Sequence, residues 1–387
     1  MTVLVDNVAI AAFCDRLRKA PYIAIDTEFM RERTFWPRLC LVQIAVPDEA
    51  AAIDPLAEGV DLQPLYDLLA DPAVIKVFHA ARQDVELFFH LTGRIPLPLF
   101  DTQVAAMVCG FGESASYEIL AQKFARASVD KSSRFTDWSR RPLTRKQIDY
   151  ALSDVLHLRV IYEKLRRRLD ETGRESWLAD EMAILTDKAT YRSDPEAAWR
   201  RLKPRSSNAR FLNVLKSVAA WREREAQARD LPRNRLLRDE AIAEIAAHPP
   251  SDAAGLRTIR MVPSGFAEGR LGPGLLAAVA EGLAAPADAA PKLERPEPLP
   301  NGLGPLTELL RVLLKMKCDE HGVAQKLVAA MPDLERIAAA DDAEVPALSG
   351  WRREVFGDAA LALKQGRLAL AADGKRVRLI GLPGLQQ

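Results

Sequence analysis

Long hydrophobic runs are missing from these 387 residues. No stretch approaches the roughly 18 apolar residues that a membrane-spanning helix needs, so no membrane partner is expected. The one apolar run near the N-terminus, Val8 to Cys14, follows Asp6 and has no basic residue before it, so a signal peptide is not expected either. Cysteine is scarce. Cys14, Cys40, Cys109 and Cys318 lie far apart and form no CxxC pair. This argues against a zinc site or a disulfide framework and for free thiols in a reducing cytoplasm. A glycine-rich GxxxxGK loop is also missing, so no nucleoside triphosphate cofactor is expected. Nor is there an excess of either charge: 54 Lys and Arg face 53 Asp and Glu, a net of +1. Taken alone, that balance gives no sign of a polyanionic partner, because nucleic-acid binders more often show a basic patch.

What is present is an ordinary soluble composition, 48% apolar and 28% charged. The length suggests about two to four domains. Strand-like and helix-like stretches alternate over the first 170 residues. Tyr22–Ile25, Leu39–Val46, Ala50–Ile53 and Val74–His79 read as strands, rich in β-branched residues. Val60–Leu69, Asp84–Leu91 and Asp101–Val108 read as helices. The pattern predicts an α/β domain with a mixed sheet and flanking helices. From about Ala115 onward only helical signals are visible.

Beyond residue 205 the chain changes character. Arg210–Ala228 predicts a helix with apolar positions at Phe211, Leu212, Leu215 and Val218. Six prolines fall between Ala284 and Pro305, which reads as a linker. A third, all-helical unit is expected from Leu306. The two C-terminal units resemble each other: Leu236-Leu237 through Ile245-Ala246 is similar to Leu327-Val328 through Ile337-Ala338, each one helix downstream of a leucine-rich opening helix. The expected boundaries are 1–205, 206–285, a linker at 286–305, and 306–387.

Three patterns carry chemistry. Asp26-Thr27-Glu28 ends the first strand, and alternation places Asp26 and Glu28 on one face. Two carboxylates so close repel unless a cation or proton compensates. In His79-Ala80-Ala81-Arg82-Gln83-Asp84 a strand runs into a helix with Asp84 in its first turn. Tyr150 and Asp154 are four apart and share a helix face, with Leu152, Val155 and Leu156 supplying the apolar side. Each pattern alone has an ordinary explanation: a polar turn, a helix-dipole acid, an amphipathic helix. Together, in this order and spacing, they form a set.

That set resembles the DEDD exonuclease superfamily, in the subgroup with tyrosine in the last motif. The flanking segments Ile25-Asp26-Thr27-Glu28-Phe29, Leu41-Val42-Gln43-Ile44, Phe78 to Glu86 and Asp137-Trp138-Ser139-Arg140-Arg141-Pro142-Leu143 are similar to the ribonuclease D family. The resemblance covers roughly residues 1–205 and implies a ribonuclease H-like 3′-5′ exonuclease domain. Residues 207–285, through Arg229 to Glu240, resemble the helical HRDC domain, and residues 306–375 a second, diverged HRDC-like unit that would pack on the nuclease domain.

Chemistry fits the resemblance. Four converging acids call for hard, oxygen-preferring cations, Mg²⁺ or Mn²⁺. Two such ions can activate a water and stabilise the leaving oxygen of a phosphoryl displacement. The family implies that Asp26, Glu28 and Asp154 hold one ion, that Asp26 and Asp84 hold the other, and that Tyr150 orients the water. It places Thr27 and Phe29 near the terminal nucleotide. Phe29 suits stacking on a base, and His79 and Gln83, beside the second motif, are expected to meet the scissile strand. Residues 126–146 carry a local net of +5 and residues 200–240 one of +7, which leaves −11 for the remainder. Phosphate binding is the reading for these stretches, with Lys131, Arg140 and Arg141 as expected contacts.

The expected function is a metal-dependent 3′→5′ exoribonuclease that trims RNA 3′ ends, tRNA precursors above all, and releases nucleoside 5′-monophosphates. The protein is expected to be cytoplasmic and monomeric. Two alternatives stay open: the same chemistry on DNA, and an RNA-binding protein with an inactive nuclease domain.

Overall fold

The computed structural model describes residues 2–382 apart from 131, 134, 135, 205, 264 and 294–298. Its main sheet holds β1 (Thr2–Leu4), β2 (Tyr22–Met30), β3 (Arg38–Val46), β4 (Glu49–Ile53), β5 (Ile75–Phe78) and β6 (Leu99–Asp101), in the order β1-β4-β3-β2-β5-β6. Strands β2, β3 and β4 pair antiparallel, whereas β1, β5 and β6 join in parallel. The sheet is therefore mixed, as expected. Two short edge strands, β1 and β6, were not legible in the sequence, each being only three residues long.

Alternation along β2 sorts its side chains. Ile23 and Ile25 join a core with Ile10, Phe13, Val85 and Phe88 from α1 (Asn7–Leu17) and α3 (Arg82–Thr92), with α2 (Gln63–Leu69) on the same face. Tyr22 and Ala24 join Val155, Leu158 and Ile161 on the other face. There lie α4 (Thr102–Val108), α5 (Tyr117–Leu120), the 28-residue α6 (Arg145–Thr172) and α7 (Glu175–Thr186). Ala24 and Ala45 put small side chains where α6 crosses. Each Leu, Ile or Phe fully buried in these two layers contributes about 1.5–3 kcal/mol.

Strand β2 corrects the sequence reading. It runs through Asp26, Thr27 and Glu28 to Met30, so the acids lie inside the strand and not at its end. Backbone pairing with β3 continues through Asp26–Gln43 and Glu28–Leu41, with a bulge between Glu28 and Phe29.

Behind the nuclease domain, α8 (Ala209–Arg229), α9 (Arg233–Leu236), α10 (Asp239–Ala247), α11 (Ala253–Thr258) and α12 (Gly272–Ala284) enclose their own core of Val214, Val218, Ile242, Ile245 and Leu275. The last unit has α13 (Gly304–His321), α14 (Gln325–Val328), α15 (Met331–Ala339), α16 (Gly350–Arg352) and α17 (Asp358–Lys364). It is not all-helical: β7 (Leu368–Asp373) and β8 (Arg376–Gly381) form a hairpin. Gly374-Lys375 turns it, with Gly374 at φ 60, where a residue without Cβ is favoured.

The internal similarity is structural as well. In each unit a four-residue helix (α9, α14) is followed by two extended residues, Leu237-Arg238 or Ala329-Ala330, and then by a nine-residue helix (α10, α15). This register matches Leu236 with Val328, one residue on from the pairing suggested by sequence.

Both units dock on the nuclease domain. The backbone N–H groups of Phe35 and Trp36 donate to Asp230 Oδ1 at 3.0 and 2.9 Å, and the Arg233 guanidinium lies 4.3 Å from the centre of the Phe35 ring. The last unit joins elsewhere. Arg174 donates to the carbonyls of Val108 and Gly322, and Trp177 stacks on Trp351 at 4.3 Å.

Candidate active site

Three of the predicted acids converge. Ligand oxygens of Asp26, Glu28 and Asp154 lie within 4.8 Å of one another. Asp26 and Glu28 come from the α6-facing side of β2. Asp154 comes from α6, whose start is fixed by a capping box: the Thr144 hydroxyl accepts from Gln147 N, and Gln147 Oε1 accepts from Thr144 N at 3.0 Å. That cap sets the helical phase, so Tyr150 and Asp154 both turn toward the sheet.

Asp84 arrives from the other side. It sits in the first turn of α3, and the Thr27 hydroxyl donates to its Oδ1 at 2.5 Å. The turn before α3 is held by Asp101, the last residue of β6, whose carboxylate accepts from Ala80 N and Ala81 N at 3.0 and 2.8 Å. Ala80 is thereby kept at φ 56, an uncommon backbone for a residue with a Cβ.

Burial dominates the electrostatics. It pushes the Asp26 carboxyl far above the ordinary range, and the charge of Asp154 adds to this. Burial raises Asp84 likewise, with Asp26 contributing and the Thr27 hydrogen bond opposing. Asp154 is raised by burial, while a hydrogen bond from Tyr150 opposes. One Asp154 oxygen, Oδ1, is buried with no hydrogen-bond partner among the described residues. A buried acceptor in this state is costly unless something positive meets it. Three carboxylates, all oxygen donors, suit a hard divalent cation.

A cleft of about 490 Å³ opens over these acids. Phe29, His79, Tyr150 and Tyr117 line it. Burial pulls the His79 imidazole down to about 4, so it is neutral near pH 7, and its Nδ1 lies 3.0 Å from Thr102 Oγ1.

The remaining expected contacts separate. Thr27 lines the cleft, but its hydroxyl is spent on Asp84. Gln83 is exposed on α3 and outside the cleft lining. Lys131 lies outside the described residues. Arg140 is exposed and 3.3 Å from Asp137. Arg141 is corrected: all five N–H groups go to protein oxygens, two on Asp54 at 2.6 Å and the rest on the carbonyls of Cys40, Trp138 and Arg140. It braces the loop before α6 against the sheet and keeps no donor for phosphate.

Three residues went unnoticed in the sequence. Tyr117 donates its hydroxyl to the Asp154 carbonyl and meets the His79 ring edge-on at 5.5 Å. Asp101 positions Asp84, as above; only its place before a helix was readable. Gln43 pairs with Asp26 across β2 and β3, fully buried, with neither amide atom partnered among the described residues.

Comparison with known proteins agrees with this geometry. The 3′-5′ exonuclease family matches residues 1–170 and the HRDC domain family residues 211–279. Ribonuclease D of Granulibacter bethesdensis is 52% identical over 382 residues, covering 98% of this chain and 96% of that protein. Ribonuclease D of Gluconacetobacter diazotrophicus is 53% identical over 366 residues, covering 95% and 93%. The crystal structure of Escherichia coli RNase D, an exoribonuclease involved in structured RNA processing, superposes with a TM-score of 0.77 at 31% identity, covering 94% of this chain and 98% of that one. Acid motifs, mixed sheet and trailing helical units thus meet in one known arrangement, and the chain belongs to the ribonuclease D family of 3′→5′ exoribonucleases.

Proposed function

We propose that the chain trims the 3′ trailers of tRNA precursors one nucleotide at a time, releasing nucleoside 5′-monophosphates with the help of two divalent cations. The observation that carries this reading is the convergence of Asp26, Glu28 and Asp154 around a buried, unpartnered Asp154 oxygen. Asp26, Glu28 and Asp154 would hold one cation, and Asp26 with Asp84 the other. When bound, Mg²⁺ or Mn²⁺ supplies an activated water and neutralises charge on the leaving oxygen.

The chain's own residues do the positioning. Thr27 fixes Asp84. Tyr150, hydrogen-bonded to Asp154, orients the attacking water by its hydroxyl. Its part is aiming and not proton removal. Phe29 offers a ring for the terminal base. Neutral His79 contacts the scissile strand as a hydrogen-bonding group, not as an acid.

Incubation of the protein and Mg²⁺ with a tRNA precursor carrying a 3′ trailer, followed by mapping of the ends, tests the proposal. Stepwise shortening to the mature end with 5′-monophosphate products is expected. An intact trailer overturns the tRNA assignment, and faster degradation of a matched DNA oligonucleotide would transfer the chemistry to DNA.

A further inference from the structure

Directly after β2 the chain enters a second cleft, of about 320 Å³, between the nuclease domain and the first helical domain. Five arginines line it: Arg31, Arg82, Arg192, Arg201 and Arg233. Glu86 and Asp194 are the acids in its lining, and Glu223 lies behind. Arg31 is bound to Glu86 through two hydrogen bonds, at 2.9 and 2.7 Å. Arg201 and Arg233 share the buried Glu223 carboxylate. Arg82 and Arg192 are different. Both are exposed, and neither has a hydrogen-bond or ion-pair partner among the described residues. Two guanidinium groups therefore face an open cleft with their charge unanswered.

A neighbouring hollow of about 410 Å³ continues the groove and shares Trp36, Glu86, Tyr191, Arg192, Ser193 and Asp194 with it. Trp36 is half-buried there, stacked at 4.0 Å on His90. Open cations interleaved with aromatic rings are what single-stranded nucleic acid binding uses: charge for the backbone, rings for the bases. Guanidinium groups match phosphate geometry with paired donors.

We infer that Arg82 and Arg192 hold the phosphates of the single strand just upstream of the nucleotide being removed, with Trp36 beside them as a base platform. This rests on the exonuclease reading of the first cleft, because Phe29 in its lining and Arg31 in the lining of the second stand two residues apart, one on each side of Met30. A strand whose 3′ end lies over the acids can leave along this path, with its 5′ part on the arginines.

The test compares the full-length protein with R82A/R192A and with K375A/R376A, a charge-matched control on the distant hairpin tip. Binding of a single-stranded 12-mer RNA is measured in EDTA over a salt series, and hydrolysis of a dinucleotide and of the 12-mer in Mg²⁺. For R82A/R192A, 12-mer affinity is expected to fall about tenfold or more. The slope of log affinity against log salt should drop by about 1.4, the value for two lost contacts to a single strand. Dinucleotide turnover should stay at the wild-type rate, as both side chains lie outside the first cleft. Loss of 12-mer affinity no greater than the control's overturns the inference, as does an unchanged salt slope. Charge reversal at one site, R192E, should weaken the 12-mer further, and wild-type binding by that variant would also overturn it. Failure of the wild-type protein to hydrolyse either RNA is a separate result that strikes the exonuclease reading and leaves the EDTA binding data to judge the second cleft.

Discussion

The Thr27 hydroxyl donates to the Asp84 carboxylate at 2.5 Å, from the opposite side of β2 to Asp26 and Glu28. The residue between two of the acids thereby anchors another.

Thr27→Val should free Asp84 while keeping size and β-propensity. Hydrolysis is expected to slow by about 10–100-fold, the usual cost of losing a partner that orients a metal-site ligand. Thr27→Ser should restore most of it. Single-turnover rates measure this, with RNA affinity in EDTA expected to be unchanged.

Asp26→Asn and Asp154→Asn should each lower activity by at least about 10²–10³-fold, and EDTA should abolish it. A degradation assay suffices. Activity persisting in either variant would remove these acids from the chemistry.

The pH dependence of stability follows from the same burial. Asp26 and Asp84 are raised to about 8 and Asp154 to about 7. Unfolded, such groups titrate near 4. Between those limits the folded chain holds protons that the unfolded chain releases. Stability in EDTA should therefore fall as pH rises from about 4 to about 8. Thermal melts across that range check the sign, and Asp26→Asn should flatten the slope.

Tyr150→Phe should lower the rate by about 10²-fold and spare RNA binding, because the ring packing survives and only the hydroxyl is lost. Wild-type turnover would make Tyr150 a packing residue. Single-turnover kinetics separates rate from affinity.

Arg141→Ala should destabilise the chain by about 1.5–3 kcal/mol, the range for losing hydrogen bonds to a charged group. Arg141→Lys should not rescue it, since one ammonium cannot span Asp54 and the Cys40 carbonyl. Denaturant unfolding measures the loss, and 12-mer affinity at the permissive temperature is expected to hold.

Alternation along a strand and i,i+4 spacing on a helix paired Asp26 with Glu28 and Tyr150 with Asp154, and the resemblance to the DEDD superfamily joined these pairs with Asp84 into one set. What lay beyond local periodicity was not legible. Strand β2 seemed to stop at Ile25 because carboxylates break an apolar run, yet backbone pairing with β3 ignores side-chain polarity and continues to Met30. Thr27 and Asp101 act on Asp84 across the fold, and no local pattern marks such a bond. Arg141 looked like a phosphate contact for the same reason: a basic stretch does not show where its donors go. Several cations of the +7 stretch are likewise paired, Arg222 with Asp239 and Arg229 with Glu225 inside it and Arg224 with Glu196 outside it. The closing hairpin carried a readable sign, Gly374-Lys375 between alternating residues, which the surrounding alanine-rich helices obscured.

Asp230 ends α8 in a left-handed conformation, φ 50, and accepts both backbone N–H groups of the loop that follows β2. The strand that carries Asp26 and Glu28 is in this way tethered at its far end to the accessory domain. One carboxylate thus fixes both where the helical domain docks and how the chain leaves the acid-bearing strand.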